Sequence, residues 1–324
     1  MSSPFSTSSG DLIADRRFNH AAALAADGDF AAAADVLQQA LDVAPAWGAG
    51  WLTLGEWRQR LGDTGGAIAA YRRAASLDTA GRLGADLRLA ALAAASVPAV
   101  MPADYVRTLF DDYAPRFDRA LVERLGYDAP ERLAASLAPL GERRFAHALD
   151  LGCGTGLMGA AIRDRVDRLT GFDLSEGMLK RAGARGVYDR LAAGDAVALM
   201  EGEPENAFDL VLAADLLPYI GAITPLFGAV ARILAPGGAL AVSAERHDGE
   251  GFVLGETLRY RHAPDMVAAA AEAVGLAVLG VAPVSLRRER GVPVPGLIAL
   301  MVRPAEIVPL EPRPTGGGRL PRAA

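Results

Sequence analysis

The spacing of apolar and polar positions changes along the chain. From about residue 16 to 96, Ala and Leu recur without runs of β-branched residues, and we interpret this stretch as packed helices. From 146 to 303, short apolar segments alternate with amphipathic ones. The apolar segments predict strands at 146–151, 168–173, 208–213, 238–243, 276–281 and 296–302, with a weaker one at 188–193. The amphipathic segments predict helices at 156–166, 176–183, 222–234 and 264–274.

The alternation of strands and helices predicts an α/β fold. We expect a doubly wound, mostly parallel seven-stranded sheet that is covered on both faces. The last two strands are joined by the turn-rich segment 282–295, without a helix between them. Strands connected in this way run antiparallel, because a parallel pair needs a longer crossover. The sheet is therefore expected to end in an antiparallel hairpin.

The helical region repeats with a period of 34 residues. The shift aligns turn residues with turn residues and small residues with small ones: Gly28-Asp29 with Gly62-Asp63, Ala33 with Ala67, Leu37 with Tyr71, and Ala40 with Ala74. A unit of this length with two helices resembles the tetratricopeptide repeat. Two units are fewer than a solenoid usually needs, so we expect residues 82–95 to form a helix that caps them or docks on the next domain. The region is then a platform for a protein partner, a surface for self-association, or a cover for the domain that follows.

Breaks in composition set the expected domain boundaries. The polar segment 1–15 is expected to be disordered, and the all-α, tetratricopeptide-like region covers 16–96. Prolines then interrupt the chain, and 97–145 is expected to hold a linker and further amphipathic helices. The α/β core covers 146–303. The tail 304–324 is rich in Pro, Gly and Arg and is expected to be disordered.

Composition excludes several classes of protein. The chain has 324 residues, of which 51% are hydrophobic, so a sizeable core is expected. The single cysteine, Cys153, excludes an intramolecular disulfide, and the four histidines lack metal-ligand spacing, so no metal is expected. A net charge of −6 without a long basic run argues against nucleic acid as a partner. No apolar run long enough for a membrane span and no signal peptide is recognised, which favours a cytoplasmic protein.

A glycine-rich turn follows the first predicted core strand, in the sequence ALDLGCGTG. Gly152, Gly154 and Gly156 stand where the backbone passes close to a ligand. Gly154 and Gly156 together with Gly159 also fit the dinucleotide fingerprint, but that motif alone is weak evidence for a dinucleotide site. Asp150, at the end of the same strand, would repel a pyrophosphate but attract an ammonium group. It therefore favours S-adenosylmethionine, which carries an ammonium group and no phosphate.

Two further aspartates follow the next strands. Asp173 ends the second strand and offers two oxygens to the hydroxyls of a ribose. Leu174 and Met178 offer apolar surface to an adenine ring. Asp195, followed by Ala196, comes after the weak third strand, where it can accept from the adenine amino group. Each aspartate singly could be a turn or cap residue, but three after successive strands favour a nucleoside site.

In this order the motifs resemble the class I S-adenosylmethionine-dependent methyltransferases over about residues 104–303. Together with the repeats, the segment YVRTLFDDYAPRFDRALVERLGYDAP resembles more closely the bacterial tetratricopeptide-repeat methyltransferases. That resemblance implies a Rossmann-like core, S-adenosylmethionine as cofactor, and aromatic helices that close over it. The implied lid residues are Tyr105, Phe110, Tyr113 and Phe117, of which Tyr113 is expected to contact the cofactor. Ordinary amphipathic packing is the alternative for each.

Candidates for acceptor contact follow the fourth and fifth core strands. Asp215 and Tyr219 lie in DLLPY, which departs from the N/D-P-P-Y motif of methyltransferases that act on planar amide or adenine nitrogens. The segment after the fifth strand adds Glu245, His247, Arg259, Tyr260 and His262. His262 is the first candidate for a general base because its unperturbed pKa lies near neutrality. The alternative is that His262 caps the helix that starts near Pro264.

Three arginines in the last predicted hairpin, Arg287, Arg288 and Arg290, could bind an acidic acceptor. A solvated edge hairpin is the preferred interpretation of them.

The sequence therefore predicts methyl transfer from S-adenosylmethionine to an unidentified acceptor, with a small molecule favoured over a protein. Two alternatives stay open: an NAD-dependent oxidoreductase that uses the same glycine turn, and a non-catalytic repeat scaffold with a vestigial methyltransferase fold.

Overall fold

The computed structural model describes residues 8–118, 126–289 and 291–305. Its α-helices are α1 Leu12–Ala26, α2 Phe30–Val43, α3 Gly48–Arg60, α4 Thr64–Leu77, α5 Ala85–Ala91, α6 Ala103–Tyr113, α7 Ala129–Ser136, α8 Leu157–Ile162, α9 Glu176–Arg185, α10 Ala196–Glu201, α11 Thr224–Ile233 and α12 Pro264–Glu272. Its strands are β1 Phe145–Leu151, β2 Val166–Asp173, β3 Arg190–Ala193, β4 Phe208–Ala213, β5 Leu234–Arg246, β6 Phe252–Leu254, β7 Tyr260–His262, β8 Ala277–Glu289 and β9 Val292–Val302.

The helical region begins earlier than predicted. Helix α1 starts at Leu12, within the segment 1–15 that was expected to be disordered, because the Asp11 side chain accepts from the backbone N–H groups of Ile13 and Ala14. Residues 1–7, together with 306–324 of the predicted tail, lie outside the described residues.

Helices α1–α4 form two antiparallel pairs. Helix α4 begins and ends 34 residues after α2 does. In each pair the turn holds a glycine with positive φ, Gly28 or Gly62. The aspartate that follows it, Asp29 or Asp63, caps the next helix. The small residues and the Leu37 and Tyr71 side chains that the period aligned are all buried. That these pairs are tetratricopeptide repeats stays a prediction.

Helix α5 joins the helical region to the rest of the chain, within the predicted 82–95. Its Ala85 and Leu89 pack against Tyr71 of α4, while Leu87 packs against Tyr105 of α6. Gly84, which precedes α5, has a φ of +70° and lies beneath the Tyr105 ring. The helical pairs therefore continue into the segment in front of the sheet through buried contacts.

The sheet has the predicted mostly parallel arrangement with a terminal antiparallel hairpin. Its main strands follow the order β3-β2-β1-β4-β5-β9-β8, and β9 runs antiparallel to both β5 and β8. Successive residues of the central strands are buried on opposite faces. Ala148 and Leu210 pack with α7 and α8 on one face, and Leu149 and Val211 pack with α11 and α12 on the other.

Two details differ from the predicted sheet. The hairpin arms extend through most of the predicted turn 282–295. Pro283 lies on the edge strand β8, and Pro293 and Pro295 lie in the part of β9 beyond its pairing with β5, so the missing N–H groups are tolerated. The sheet also contains the short antiparallel pair β6–β7, where no strand was predicted. Strand β7 pairs in parallel with the end of β5, through Glu245 and Arg246. The segment after β5 is thus held at the carboxyl edge of the sheet.

Gly84→Ala tests the contact between the helical region and α6. An added Cβ would lie 2.6 Å from Cε2 of the buried Tyr105 ring, whereas at Gly62, which also has positive φ, it would meet nothing within 4 Å. We expect Gly62→Ala to lower the free energy of unfolding by about 1 kcal/mol, from backbone strain alone. Gly84→Ala should lower the free energy of unfolding by about 1–3 kcal/mol more than Gly62→Ala does, because the added methyl group overpacks the contact with Tyr105. Urea unfolding of both variants measures the difference, and equal losses would contradict the packing.

Candidate functional site

A cavity of about 790 Å³ opens at the carboxyl ends of the parallel strands, which is the usual place for ligands in such sheets. It is lined by the segments that follow β1 to β4, by α6 and the turn after it, and by four residues of the helical region. Those four are Leu52, Glu56, Leu83 and Arg88, with Glu56 and Arg88 paired at 2.9 Å. Tyr127 also lines the cavity. Sequence reasoning missed these residues, because only tertiary packing brings them to the site.

The glycine turn is built as expected, but only part of it faces the cavity. Gly152, Gly154 and Gly156 all have positive φ, at +66°, +53° and +89°. Gly152 and Gly154 line the cavity, and a Cβ on Gly154 would meet no protein atom within 4 Å. Gly156 does not line it. A Cβ there would lie 3.0 Å from Cε2 of Tyr188, so this glycine makes room for a protein side chain, and its prediction as a cofactor contact was wrong.

Asp150 is likewise not a cavity residue, which corrects the prediction that it faces a ligand. It is fully buried and absent from the cavity wall, and its Oδ2 accepts from the Tyr188 hydroxyl at 2.6 Å. Oδ1 is buried without a partner among the described residues. Burial raises the pKa of this carboxyl to about 7, against the opposing effect of the Tyr188 hydrogen bond. Glycines at 156, 159 and 171 leave the space that the Tyr188 ring fills.

Asp173 is placed as predicted, at the end of β2 and on the cavity wall. Its two oxygens accept from the backbone N–H groups of Gly154 and Ser175, each at 2.8 Å. Burial raises the pKa of this carboxyl although these hydrogen bonds oppose the shift. Each oxygen still has a lone pair for a further donor. The residue therefore ties the glycine turn to the start of α9 and keeps acceptor capacity toward the cavity.

The predicted adenine contacts divide into two groups. Leu174, Asp195 and Ala196 line the cavity. Asp195 also caps α10, and because both backbone N–H groups bond to its Oδ1, the second oxygen keeps its acceptor capacity. Met178 is 1% exposed and does not line the cavity, because the buried face of α9 carries it inward. Its prediction as a cofactor contact was wrong.

The four predicted lid residues all line the cavity. They pack edge to face, with Phe110 at 5.2 Å from Tyr219 and 6.1 Å from Phe117, and Tyr113 at 5.4 Å from Phe117, between ring centroids. Tyr105 contacts the helical region instead, beside Gly84. The aromatic residues of 103–118 therefore form one wall of the cavity, and their closure over a cofactor stays a prediction.

Two aspartates attach this wall to the nucleotide motifs. Asp111 Oδ1 accepts from the Ser175 hydroxyl at 2.5 Å and from the Gly177 N–H at 3.2 Å, at the start of α9. Asp118 accepts from the Thr155 hydroxyl of the glycine turn and from Arg185, each at 2.5 Å. The aromatic segment is thus held over the cavity by hydrogen bonds to both the glycine turn and α9.

Asp215 and Tyr219, both predicted to contact the acceptor, lie together on the cavity wall. Arg259 joins them, because its guanidinium donates to Asp215 Oδ1 and to the Tyr219 hydroxyl, each at 2.6 Å. Asp215 has a φ of +60°, a strained conformation for a non-glycine residue, and its N–H donates to Ser243 Oγ at 2.9 Å. Burial raises the pKa of Tyr219 to about 12. The phenol is therefore protonated at neutral pH and available as a donor.

His262 is not at the site, and its prediction as a general base was wrong. It is fully buried in β7, and its Nε2 donates to the backbone carbonyls of Ile220 at 2.9 Å and Gly221 at 3.1 Å. Burial lowers the pKa of the ring. It does not cap α12 either, since that helix has no side-chain cap. The imidazole instead holds the turn after Tyr219 against the β6–β7 pair.

Arg287 is buried, not solvated as the preferred interpretation had it. Its side chain lines the cavity, and Nη2 donates to Glu245 Oε1 at 2.7 Å. Glu245 also accepts from Arg259 Nε. Burial opposes the charged form of Glu245, but the two guanidiniums outweigh it and lower the pKa of that carboxyl. Arg288 is exposed, and Arg290 lies outside the described residues.

The described residues show neither a metal site nor a helix that could cross a membrane. No group of three or more His, Cys, Asp or Glu side chains within 8–118, 126–289 and 291–305 is arranged to hold a metal ion. In the same part of the chain, none of the helices has the length and apolar character that crossing a membrane requires.

Comparison with known proteins gives one family match, to sequences described as "Methyltransferase domain", over residues 149–242. The chain is 33% identical over 130 residues to malonyl-(acyl-carrier protein) O-methyltransferase of Pseudescherichia vulneris, covering 40% of this chain and 51% of that protein. It is 34% identical over 143 residues to demethylmenaquinone methyltransferase of Thermus thermophilus, covering 41% and 63%. The chain thus spans about half to three fifths of the length of these relatives.

Solved structures share the fold. The (4+2)-cyclase SpnF matches with a TM-score of 0.52 at 19% identity, over 63% of this chain and 97% of that chain. The 1,6-didemethyltoxoflavin-N1-methyltransferase of Burkholderia thailandensis matches with a TM-score of 0.50 at 19% identity, over 64% and 93%.

Asp150→Asn tests the buried carboxyl beneath the turn. A pKa raised from 3.8 to about 7 in the folded protein means that the Asp150 contribution to stability is complete below about pH 4 and is lost as the pH rises to 7. The loss is on the order of 4 kcal/mol. The difference in unfolding free energy between wild type and Asp150→Asn should shift by that amount in favour of the variant between pH 4 and 8, measured by urea unfolding. The exposed Asp248→Asn should follow the wild type, and parallel curves for Asp150→Asn would contradict the burial.

Proposed function

We propose, from the premise that this chain contains a class I S-adenosylmethionine-dependent methyltransferase domain, that it transfers the methyl group to a small-molecule acceptor. The observation that carries the proposal is the arrangement of Gly152, Gly154, Asp173 and Asp195 around one cavity, opposite Asp215 and Tyr219. One end of the cavity has the groups that suit a nucleoside, and the other has the groups that suit a polar acceptor.

The residues at the first end fit S-adenosylmethionine. The open space beside Gly154 admits a ligand against the backbone, and Asp173 has the free lone pairs that ribose hydroxyls need. Asp195 offers its second oxygen to an amino group, and Leu174 and Ala196 offer apolar surface. When bound, S-adenosylmethionine supplies an electrophilic methyl group on a sulfonium ion. The tasks left to the protein are positioning of the acceptor and management of its proton.

Asp215 and Tyr219 are the proposed acceptor contacts. Asp215 uses Oδ1 for Arg259, which leaves Oδ2 to take or orient the proton of a hydroxyl acceptor. The Tyr219 hydroxyl accepts from Arg259, so its own proton is free to be donated into the cavity. Arg259 positions both groups without itself needing to touch the acceptor. These two residues replace His262 as the candidates for chemistry.

A small acceptor is favoured over a protein for three reasons. The aromatic wall of 103–118 and the helical residues Glu56 and Arg88 border the cavity, so the helical region serves in this proposal as a cover for the site. The volume of the cavity is in the range of small-molecule sites, and the cofactor would fill part of it. The name of one relative also points to a small molecule, a quinone, whereas that of the other names a malonyl group on an acyl-carrier protein.

The two alternatives are less well supported. An NAD-dependent oxidoreductase is disfavoured by the methyltransferase match over 149–242 and by the antiparallel strand β9 between β5 and β8. Asp150 does not discriminate between the two cofactors, because it is buried away from the cavity. A non-catalytic scaffold is disfavoured because the glycine turn and the two cavity aspartates are intact. Calorimetric titration with S-adenosylhomocysteine and with NAD separates all three: micromolar binding of the first ligand alone supports the proposal.

The acceptor class is tested by transfer of tritiated methyl groups from S-adenosylmethionine in an extract of the organism that encodes the protein. Label in low-molecular-mass products is the expected result. Label confined to macromolecules would make the acceptor a protein and contradict the proposal.

Asp173→Asn should weaken S-adenosylhomocysteine binding about tenfold or more, because a charge-assisted hydrogen bond to a ribose hydroxyl is lost. Isothermal titration calorimetry gives the dissociation constant. Asp112→Asn is the matched control, since Asp112 also lines the cavity but is paired with Arg116 on the surface. An unchanged affinity for Asp173→Asn would place the ribose elsewhere.

Asp215→Asn should lower kcat by about 100-fold, the contribution expected of one general base, and leave S-adenosylhomocysteine affinity unchanged. The measurement is the initial rate of tritiated methyl transfer at saturating S-adenosylmethionine, with the affinity taken from calorimetry. Loss of cofactor affinity at constant kcat would assign Asp215 to the cofactor end of the cavity.

A further inference from the structure

We propose that the methyl acceptor carries a carboxylate and that Arg287 binds it. This inference rests on the proposed function and adds the chemical class of the acceptor. It starts from a guanidinium that is buried beside the cavity and incompletely paired.

Arg287 lies near the carboxyl end of β8, with 5% of its surface exposed, and it lines the cavity. Its Nη2 donates to Glu245 at 2.7 Å and to Glu289 at 2.6 Å, and its Nε donates to Glu289 at 3.2 Å. Nη1 is buried and has no acceptor among the described residues. A buried guanidinium nitrogen without an acceptor is costly, so the pairing of Arg287 in this structure is incomplete.

The pairing of charges around Arg287 leaves a place for one more carboxylate. Glu245 and Arg287 are buried, Asp215 and Arg259 are partly buried, and the formal charges of the two acids and two bases balance. Glu289 is the fifth member, and its side chain is 42% exposed. It reaches the guanidinium from the rim of the cavity, and solvation would compensate it if it moved away.

Glu289 therefore occupies a carboxylate site on Arg287 that a ligand could take over. Both of its hydrogen bonds end on one oxygen, Oε1, so the two partners do not form the bidentate pair that planar guanidinium and carboxylate groups favour. A ligand carboxylate in the place of Glu289 could accept from Nε with one oxygen and from Nη2 with the other, in that bidentate arrangement. Arg287 could therefore bind a ligand carboxylate in a more favourable geometry than the one in which it binds Glu289.

The sheet order places Arg287 toward the acceptor end. Strand β8 is the fourth strand from β1 in the order β1-β4-β5-β9-β8, and neighbouring strands are about 4.8 Å apart. The glycine turn and Asp173 follow β1 and β2, on the other side of β4. Arg287 instead joins the cluster of Glu245, Arg259 and Asp215. We therefore assign it to the acceptor and not to the carboxylate of the cofactor.

The test uses matched acids and amides on the full-length protein saturated with S-adenosylhomocysteine. The probes are benzoate with benzamide, 4-hydroxybenzoate with 4-hydroxybenzamide, and succinate with succinamide, titrated by calorimetry. At least one acid should bind about tenfold or more tightly than its amide, because the amide cannot form the charge-assisted pair. Equal affinities within every pair, or no binding of any acid, would overturn the proposal.

Arg287→Gln should abolish the preference for the acid, whereas Arg288→Gln should preserve it. Arg288 is the matched control because it is adjacent, exposed and bonded only to the Gly291 carbonyl in the hydrogen bonds of the described residues. If Arg287→Gln does not fold, Glu289→Gln provides the second measurement. Removal of the competing carboxylate should tighten binding of the acid several-fold, and unchanged or weaker binding would contradict the displacement.

Binding of S-adenosylhomocysteine separates the two proposals. If the wild type does not bind it, the proposed function fails. If wild type and Arg287→Gln bind it equally while no acid is preferred, only the present inference fails. Loss of S-adenosylhomocysteine binding in the folded Arg287→Gln variant would assign Arg287 to the cofactor and overturn the proposal.

Discussion

The carboxylate of Glu245 is the constraint on which the acceptor end of the cavity depends. It lies at the end of β5, is 3% exposed, and accepts from both Arg259 and Arg287. Through these arginines it connects three separate segments: the turn after β4, the segment before β7, and the end of β8. Buried ion pairs contribute little net stability, because desolvation offsets their attraction, but they specify geometry. Removal of this one carboxylate would leave two neighbouring guanidiniums without the acceptor that they share.

The cofactor end depends on a different device, a backbone turn held by buried aromatic and acidic groups. Tyr188 fills the space that Gly156, Gly159 and Gly171 leave and donates to Asp150. Above the turn, Asp173 accepts from Gly154, and Asp118 accepts from Thr155. The turn is therefore bonded on both sides, and its Gly152–Thr155 portion lines the cavity. Backbone conformation therefore determines the structure of one end of the cavity, and a series of ion pairs determines that of the other.

The outcome of the sequence predictions follows from the range of the interactions involved. The main strands, the covering helices and the turn at Gly152–Gly156 were predicted well, because hydrophobic period and positive-φ glycines are local signals. Residues were assigned wrongly where a residue type at that place in the sequence can have two kinds of partner. Gly156 could face a ligand or a tyrosine, Asp150 could face an ammonium or a hydroxyl, and His262 could be a base or a donor to carbonyls. For Asp150 and His262, the partner is a residue more than 30 positions away in the sequence.

The sequence by itself determined the class of fold, the order of the nucleotide motifs and the resemblance of the core to methyltransferases. These properties follow from apolar periodicity and from backbone conformations that only glycine adopts easily, and both are written in neighbouring residues. Only the tertiary structure decided that Glu56 and Arg88 of the helical region border the cavity, and that Arg287 is buried beside Glu245 instead of solvated on an edge hairpin. The physical reason is that burial and charge pairing arise between segments far apart along the chain, and the residues of one segment do not specify which segment packs against it.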